Sequence, residues 1–188
     1  MARSLKELNE YYKNQGRVDS VLREDLRGDD EIVYGARAVN AVLPDHLDKQ
    51  TEDWDIMSKT PKKAAFEAER KLDTAFGGDF FETKPAIHPG TWKVKSKVTK
   101  RGVADFTKQE KKTDYHEIDG IRFATLDHQK DNIKRSLADP ESRFRHDKDK
   151  ETRQRIKIYE SKYKKKEVRR PKQSRSLFSG GNLFDGWL

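Results

Sequence analysis

Residues 50–58 read QTEDWDIMS, and the placement of Asp53 and Asp55 within that run decides how the chain is understood. Trp54, Ile56 and Met57 are apolar and suit a β-strand. Side chains two apart on a strand point to the same face. The two carboxylates therefore project together, while Trp54 and Ile56 face the core. Like charges held side by side are unfavourable unless a cation shares them. The bland alternative is that both acids are simply solvated, because D-x-D arises often in a chain that is 39% charged.

Upstream, DEIVYGARAVNAVLP (30–44) starts as a short strand, Ile32 to Tyr34, and breaks at Gly35. It resumes with helical spacing through Ala38, Val39, Val42 and Leu43 as far as Pro44. DHLDKQTE (45–52) is a polar loop. Downstream, TPKKAAFEAERKLDTAF (60–76) predicts a helix with Thr60 as N-cap and Pro61 at the first position. Its apolar stripe is Ala65, Ala68, Leu72, Ala75 and Phe76, and Gly77-Gly78 stops it. FFETKPAIHP, TWKVKSKV, GVADFTK and GIRFATLD read as strands, and DHQKDNIKRSL as a helix. Near the start, SLKELNEYYKNQ (4–15) carries a Ser4–Glu7 capping box and a face of Leu5, Leu8, Tyr11 and Tyr12. A long basic helix is expected from RFRHDKDKETRQRIKIYESKYKKKEVRR, with Phe144, Ile156, Ile158 and Tyr159 as its sparse apolar contacts. Residues 171–176 read as a linker. The end, SLFSGGNLFDGWL, carries Phe178, Phe184 and Trp187; it is either a docking peptide for a protein partner or a segment that packs back on the chain.

The 188 residues include 32% hydrophobic ones, enough for one domain with a lean core. The net charge of +8 favours a polyanionic partner. The absence of cysteine excludes disulfides, thiolate zinc sites and cysteine nucleophiles. The histidines at 46, 88, 116, 128 and 146 have no zinc-like spacing. No apolar run reaches membrane-spanning length and the start lacks a secretory stretch, so a cytoplasmic protein that makes no membrane contact is expected.

Strand, glycine turn, helix, loop, D-x-D strand, helix and a later strand with one more acid is an ordered set of features. It resembles the polymerase-beta-type nucleotidyltransferase superfamily. The counterparts are YGAR (34–37), DWDI (53–56) and VADF (103–106), and the likeness covers roughly residues 30–160. The flavour is that of small viral or phage and minimal prokaryotic members, which for a viral chain would extend the localisation to the virion. The resemblance implies an α/β (α+β) fold with a mixed sheet flanked by helices and a basic helical C-terminal extension. It also sets the expected boundaries: an N-terminal helix and linker (1–29), the core (30–145), a basic helix (146–170), then linker and aromatic tail (171–188).

The activity implied is attack of a hydroxyl on the α-phosphate of an NTP such as ATP, with pyrophosphate leaving. Asp53, Asp55 and Asp105 would bind two Mg²⁺ (or Mn²⁺) ions, and Asp105 would also help to deprotonate the hydroxyl. Gly35, Ala36 and Arg37 would hold the triphosphate. Lys148, Lys150 and Arg153 would approach the nucleotide or a nucleic-acid acceptor, RNA in particular. Tyr159 and Tyr163 could stack on bases or serve as core contacts. Two departures stand out: Ala36 replaces the usual Ser or Gly, and the gap from Gly35 to Asp53 is long, implying an extended loop. Each residue keeps a plainer reading. Gly35 could be only a turn, Asp105 a solubilising edge charge, Arg37 an exposed helix residue and the basic run a solvated face. The competing function is a nucleic-acid-binding or assembly protein that has the fold without turnover.

Overall fold

In a computed structural model, the structure describes residues 4–164. Two short helices, α1 (Leu5–Asn14) and α2 (Arg17–Leu26), precede strand β1 (Ile32–Tyr34) and helix α3 (Gly35–Asn40). The acidic strand β2 (Trp54–Ser58) leads into α4 (Pro61–Phe76). Strands β3 (Phe81–Pro85), β4 (Thr91–Ser96), β5 (Gly102–Lys108), β6 (Tyr115–Ile118) and β7 (Ile121–Ala124) follow, then α5 (Leu126–Ala138) and α6 (His146–Tyr159). The strands form one mixed sheet in the order β3-β4-β5-β2-β1-β7-β6. The β2–β5 and β1–β7 pairs are parallel and the others antiparallel.

The alternation read around Trp54 explains the two layers. Val33, Trp54, Ile56, Val94, Ala104, Phe106 and Phe123 are buried on one face, against Ala65, Ala68, Leu72 and Phe76 of α4. Helix α4 ends as its glycines dictate. Gly77 sits at φ 72°, its N–H donates to the Thr74 carbonyl, and the Gly78 N–H donates to that of Asp73. The opposite face is polar at its centre and is flanked by a second apolar cluster. Val39, Leu43, Leu126, Ile133 and Ile156 join α3, α5 and α6 there.

Several local expectations need correction. Helix α2 was not anticipated, and neither was β6, whose four residues are all exposed and show no alternation. Thr60 makes no side-chain cap; its own N–H donates to Ser58 Oγ at 3.1 Å. The long basic helix is interrupted. Pro140–Arg145 is a 3₁₀ segment before α6, and Glu160–Lys164 is a π-turn after it. The basic stretch 165–170, the linker and the aromatic tail lie outside the described residues. Among the described residues no helix is long and apolar enough to cross a membrane.

Tyr11 anchors α1. It is 2% exposed, with ring centroids 5.6 Å from Phe76 and 5.8 Å from Phe80. Its neighbour Tyr12 is 57% exposed. Tyr11→Ala is therefore expected to lower unfolding free energy by about 3–5 kcal/mol in a urea titration. Tyr12→Ala should stay within about 0.5 kcal/mol. Equal losses would show that α1 does not dock through Tyr11.

Candidate active site

Strand register assembles the site. Tyr34 opposes Asp55, Asp55 opposes Asp105, and Asp105 opposes Lys93, across β1, β2, β5 and β4. Directly opposed residues share a face, so the four side chains form a row on the polar side of the sheet. Asp53 lies one residue before β2 and its charge acts on both Asp55 and Asp105. The structure thus brings the three predicted carboxylates to one place.

Burial and like charge both show in the proton affinities of Asp55 and Asp105. The Asp55 carboxyl is pushed up to about 6, first by burial, then by the charges of Asp53 and Asp105. Lys148 and Arg145 oppose that shift. Burial also raises Asp105, and Lys93, whose ammonium lies 3.0 Å from Asp105 Oδ2, pulls it back. Lys93 was not foreseen as part of the site. Nothing local marks it, because its place depends on the register between β4 and β5.

Gly35 is held at φ +68°, and a Cβ there would meet Asp55 Oδ2 at 2.2 Å. Only glycine satisfies both the left-handed backbone and the carboxylate against it. Ala36 lines a pocket of about 440 Å³ with Lys49, Asp53, Arg101 and Lys148. Arg37 has another use. Its guanidinium stacks 4.2 Å over Trp54, pairs with Asp19 at 2.8 Å, and donates from Nε to the Asp53 carbonyl at 2.8 Å. Trp54 Nε1 donates to the same Asp19 at 3.0 Å. Arg37 therefore fixes the backbone at Asp53. Neither Asp19 nor this bracing was legible beforehand.

The long gap before Asp53 is not an extended loop. It contains a 3₁₀ turn, Asp45–Leu47, and is clamped from two sides. Asn40 exchanges hydrogen bonds with the Lys49 backbone at 2.7 and 3.2 Å, and buried Arg155 of α6 donates to the Leu47 carbonyl at 2.6 Å. Lys49 also pairs with Glu151. This docking turns one face of α6 inward. Lys148 lies on that face and lines the pocket. Lys150, about 200° further round at 100° per residue, pairs instead with Asp147 at 3.4 Å. Arg153 is exposed on α6. Tyr159 and Tyr163 stack on one another at 5.9 Å, and the Tyr163 hydroxyl lies 3.2 Å from His46 Nε2.

The carboxylates suit a hard cation. Asp105 Oδ1 is buried without a hydrogen-bond partner, and burial and like charge make the ionised form of Asp55 costly. Among the described residues, however, no three such groups already close on one ligand position. The ammonium of Lys93 already supplies positive charge at Asp105.

No family model matches the chain, and no curated protein matches it by sequence. Solved structures do. A polyadenylate synthase of Megavirus superposes with a TM-score of 0.55 at 21% identity, over 68% of this chain and 26% of that one. The likeness is one of fold, a mixed sheet flanked by helices. JHP933 of Helicobacter pylori gives a TM-score of 0.41 at 12% identity, over 70% of this chain and 57% of that one. At 26% coverage, the chain spans about a quarter of the length of the viral synthase.

The Asp55 shift has a testable sign. Its folded value, about 6, lies above the ordinary 3.8, so the fold favours the neutral acid. Its contribution to stability is fully present below about pH 4 and is lost as pH rises through about 6. Without metal, Asp55→Asn should be more stable than the parent at neutral pH by up to about 3 kcal/mol, a gap that closes towards pH 4. Thermal unfolding across that range measures it. A variant less stable than the parent at neutral pH would contradict the burial of an ionised Asp55.

Proposed function

We propose that this chain is a metal-dependent nucleotidyltransferase that joins a nucleoside monophosphate from an NTP to a hydroxyl on nucleic acid. The observation that carries the reading is the in-register pairing of Asp55 with Asp105, with Asp53 beside them and Gly35 against the Asp55 carboxylate. Asp53, Asp55 and Asp105 would hold Mg²⁺ or Mn²⁺, which when bound supplies positive charge to the α-phosphate and the leaving pyrophosphate. The triphosphate fits the pocket between Ala36 and α6, where Lys49, Arg101 and Lys148 offer positive charge. Asp105 accepts the proton of the attacking hydroxyl, a role that its raised proton affinity favours. Lys93 then holds Asp105 in place and limits that affinity. The viral neighbour's polyadenylate synthase activity agrees with this class of reaction and suggests ATP as the first donor to try.

One observation favours a second reading, a nucleic-acid-binding or assembly protein without turnover. The Lys93–Asp105 ion pair already neutralises one of the three acids, and a binding protein would gain stability from that arrangement.

The full chain incubated with each labelled NTP, Mg²⁺ or Mn²⁺ and a pool of RNA and DNA acceptors is expected to label one acceptor class. Asp55→Asn and Asp105→Asn should each reduce labelling by at least about a hundredfold, the scale of losing a general base or a charge-stabilising group. Labelling that survives both substitutions would reject the site. No labelling with any donor would favour the second reading.

A further inference from the structure

A larger cleft, about 1050 Å³, opens on the same face of the sheet as the acids. Its floor is Tyr34, Met57 and Thr107. Thr107 lies two residues beyond Asp105 on β5, so the floor begins about 7 Å along the strand from that carboxylate. The triphosphate pocket lies at the other end of these strands, around Asp53 and Gly102. The acid row therefore separates two openings.

The cleft is basic on both walls. Lys108, Lys111 and Lys112 come from the end of β5 and the segment after it, and Lys134 and Arg135 from α5. None of these five forms an ion pair within the described residues. The acids of the lining are Glu110 and Asp131. The lining follows α5 from His128 to Ala138, which is about 15 Å of helix. That length is enough to track several successive phosphates of one strand. Cations spread along two walls suit a repeating polyanion better than one compact anion. Aromatic readout is sparse, since Tyr34 is half-buried with its hydroxyl 3.1 Å from Thr107 Oγ1.

We propose that this cleft holds the phosphate backbone of a single-stranded polynucleotide, with its terminal hydroxyl at Asp105. The proposal rests on the nucleotidyl-transfer reading for the hydroxyl but not for the binding. It places the acceptor between α5 and the segment after β5 rather than on the basic stretch after Lys164. Contacts to phosphate make the affinity blind to sequence and strongly dependent on salt.

Binding is measured by fluorescence anisotropy on the full chain carrying Asp55→Asn, without NTP, using labelled single-stranded RNA and DNA of mixed sequence. Combined Lys111→Gln, Lys112→Gln and Lys134→Gln should flatten the dependence of log affinity on log salt by about two units. Affinity near 0.1 M salt should fall by roughly ten- to a hundredfold. The RNA and DNA arms identify the preferred sugar, and loss in whichever arm binds supports the cleft. A control with the same charge change, Lys6→Gln, Lys13→Gln and Arg70→Gln, on α1 and α4 across the sheet, should leave the slope unchanged. Equal losses in both variants would overturn the proposal. So would loss only on neutralising Lys165, Lys166, Arg169 and Arg170. Transfer activity separates the two claims. Binding through the cleft with no transfer from any NTP would leave the cleft standing and fail the catalytic reading. Transfer to an oligonucleotide unaffected by the cleft substitutions would overturn the cleft alone.

Discussion

The ladder between β2 and β5 places two carboxylates side by side, and much of the molecule follows from that one pairing. Parallel strands need a crossover, and here α4, β3 and β4 supply it. The same crossover buries Trp54, Ile56, Ala104 and Phe106 against α4, which fixes the register. A shift of one residue would send those apolar groups to the polar face and the acids into the core. Core packing and the alignment of Asp55 with Asp105 are thus one constraint. Gly35 and Arg37 complete it, the first by leaving room at the carboxylate and the second by fixing the backbone at Asp53.

Such a site is electrostatically poised. Burial and the neighbouring carboxylates raise the proton affinity of Asp55, burial and Asp53 raise that of Asp105, and Lys93, Lys148 and Arg145 oppose these shifts from β4, α6 and the turn before it. The balance is incomplete, since Asp55 still sits near 6. Perturbation of this size, arising from burial and like charge beside open pockets, is typical of functional sites. Lys93 is the informative partner. It stabilises the ionised Asp105 in the fold, and the proposed divalent cation would have to compete with it. The strength of that competition separates an enzyme from a protein that only retains the shape.

Legibility in the sequence followed the range of each interaction. The Ser4–Glu7 capping box, Pro61 at the start of α4, Gly77 at its end and the burial of Trp54 and Ile56 on either side of Asp55 are local, and the structure contains each of them. The meeting of Asp53, Asp55 and Asp105 was legible through the order of motifs. What escaped depends on tertiary register or distant partners: Lys93 opposite Asp105, Asp19 beneath Trp54, and Arg155 clamping a loop more than a hundred residues upstream. The position of Arg37 beside the glycine turn suggests a phosphate ligand. Burial over Trp54 instead gives it structural partners. The cleft beside α5 was missed for the same reason, since its basic residues are scattered from 108 to 135 and only folding collects them.

The central claim is that these carboxylates jointly take a divalent cation. Calorimetric titration of Mn²⁺ into the full chain, with Asp55→Asn and Asp105→Asn beside it, tests that most directly. Near pH 6, where Asp55 is about half protonated, the parent is expected to bind with release of protons from it. Binding should weaken as pH falls through about 6 and be lost in both variants. Lys93→Met should bind more tightly than the parent, because it frees Asp105. Mn²⁺ affinity that is the same in the parent and in Asp55→Asn would contradict the account.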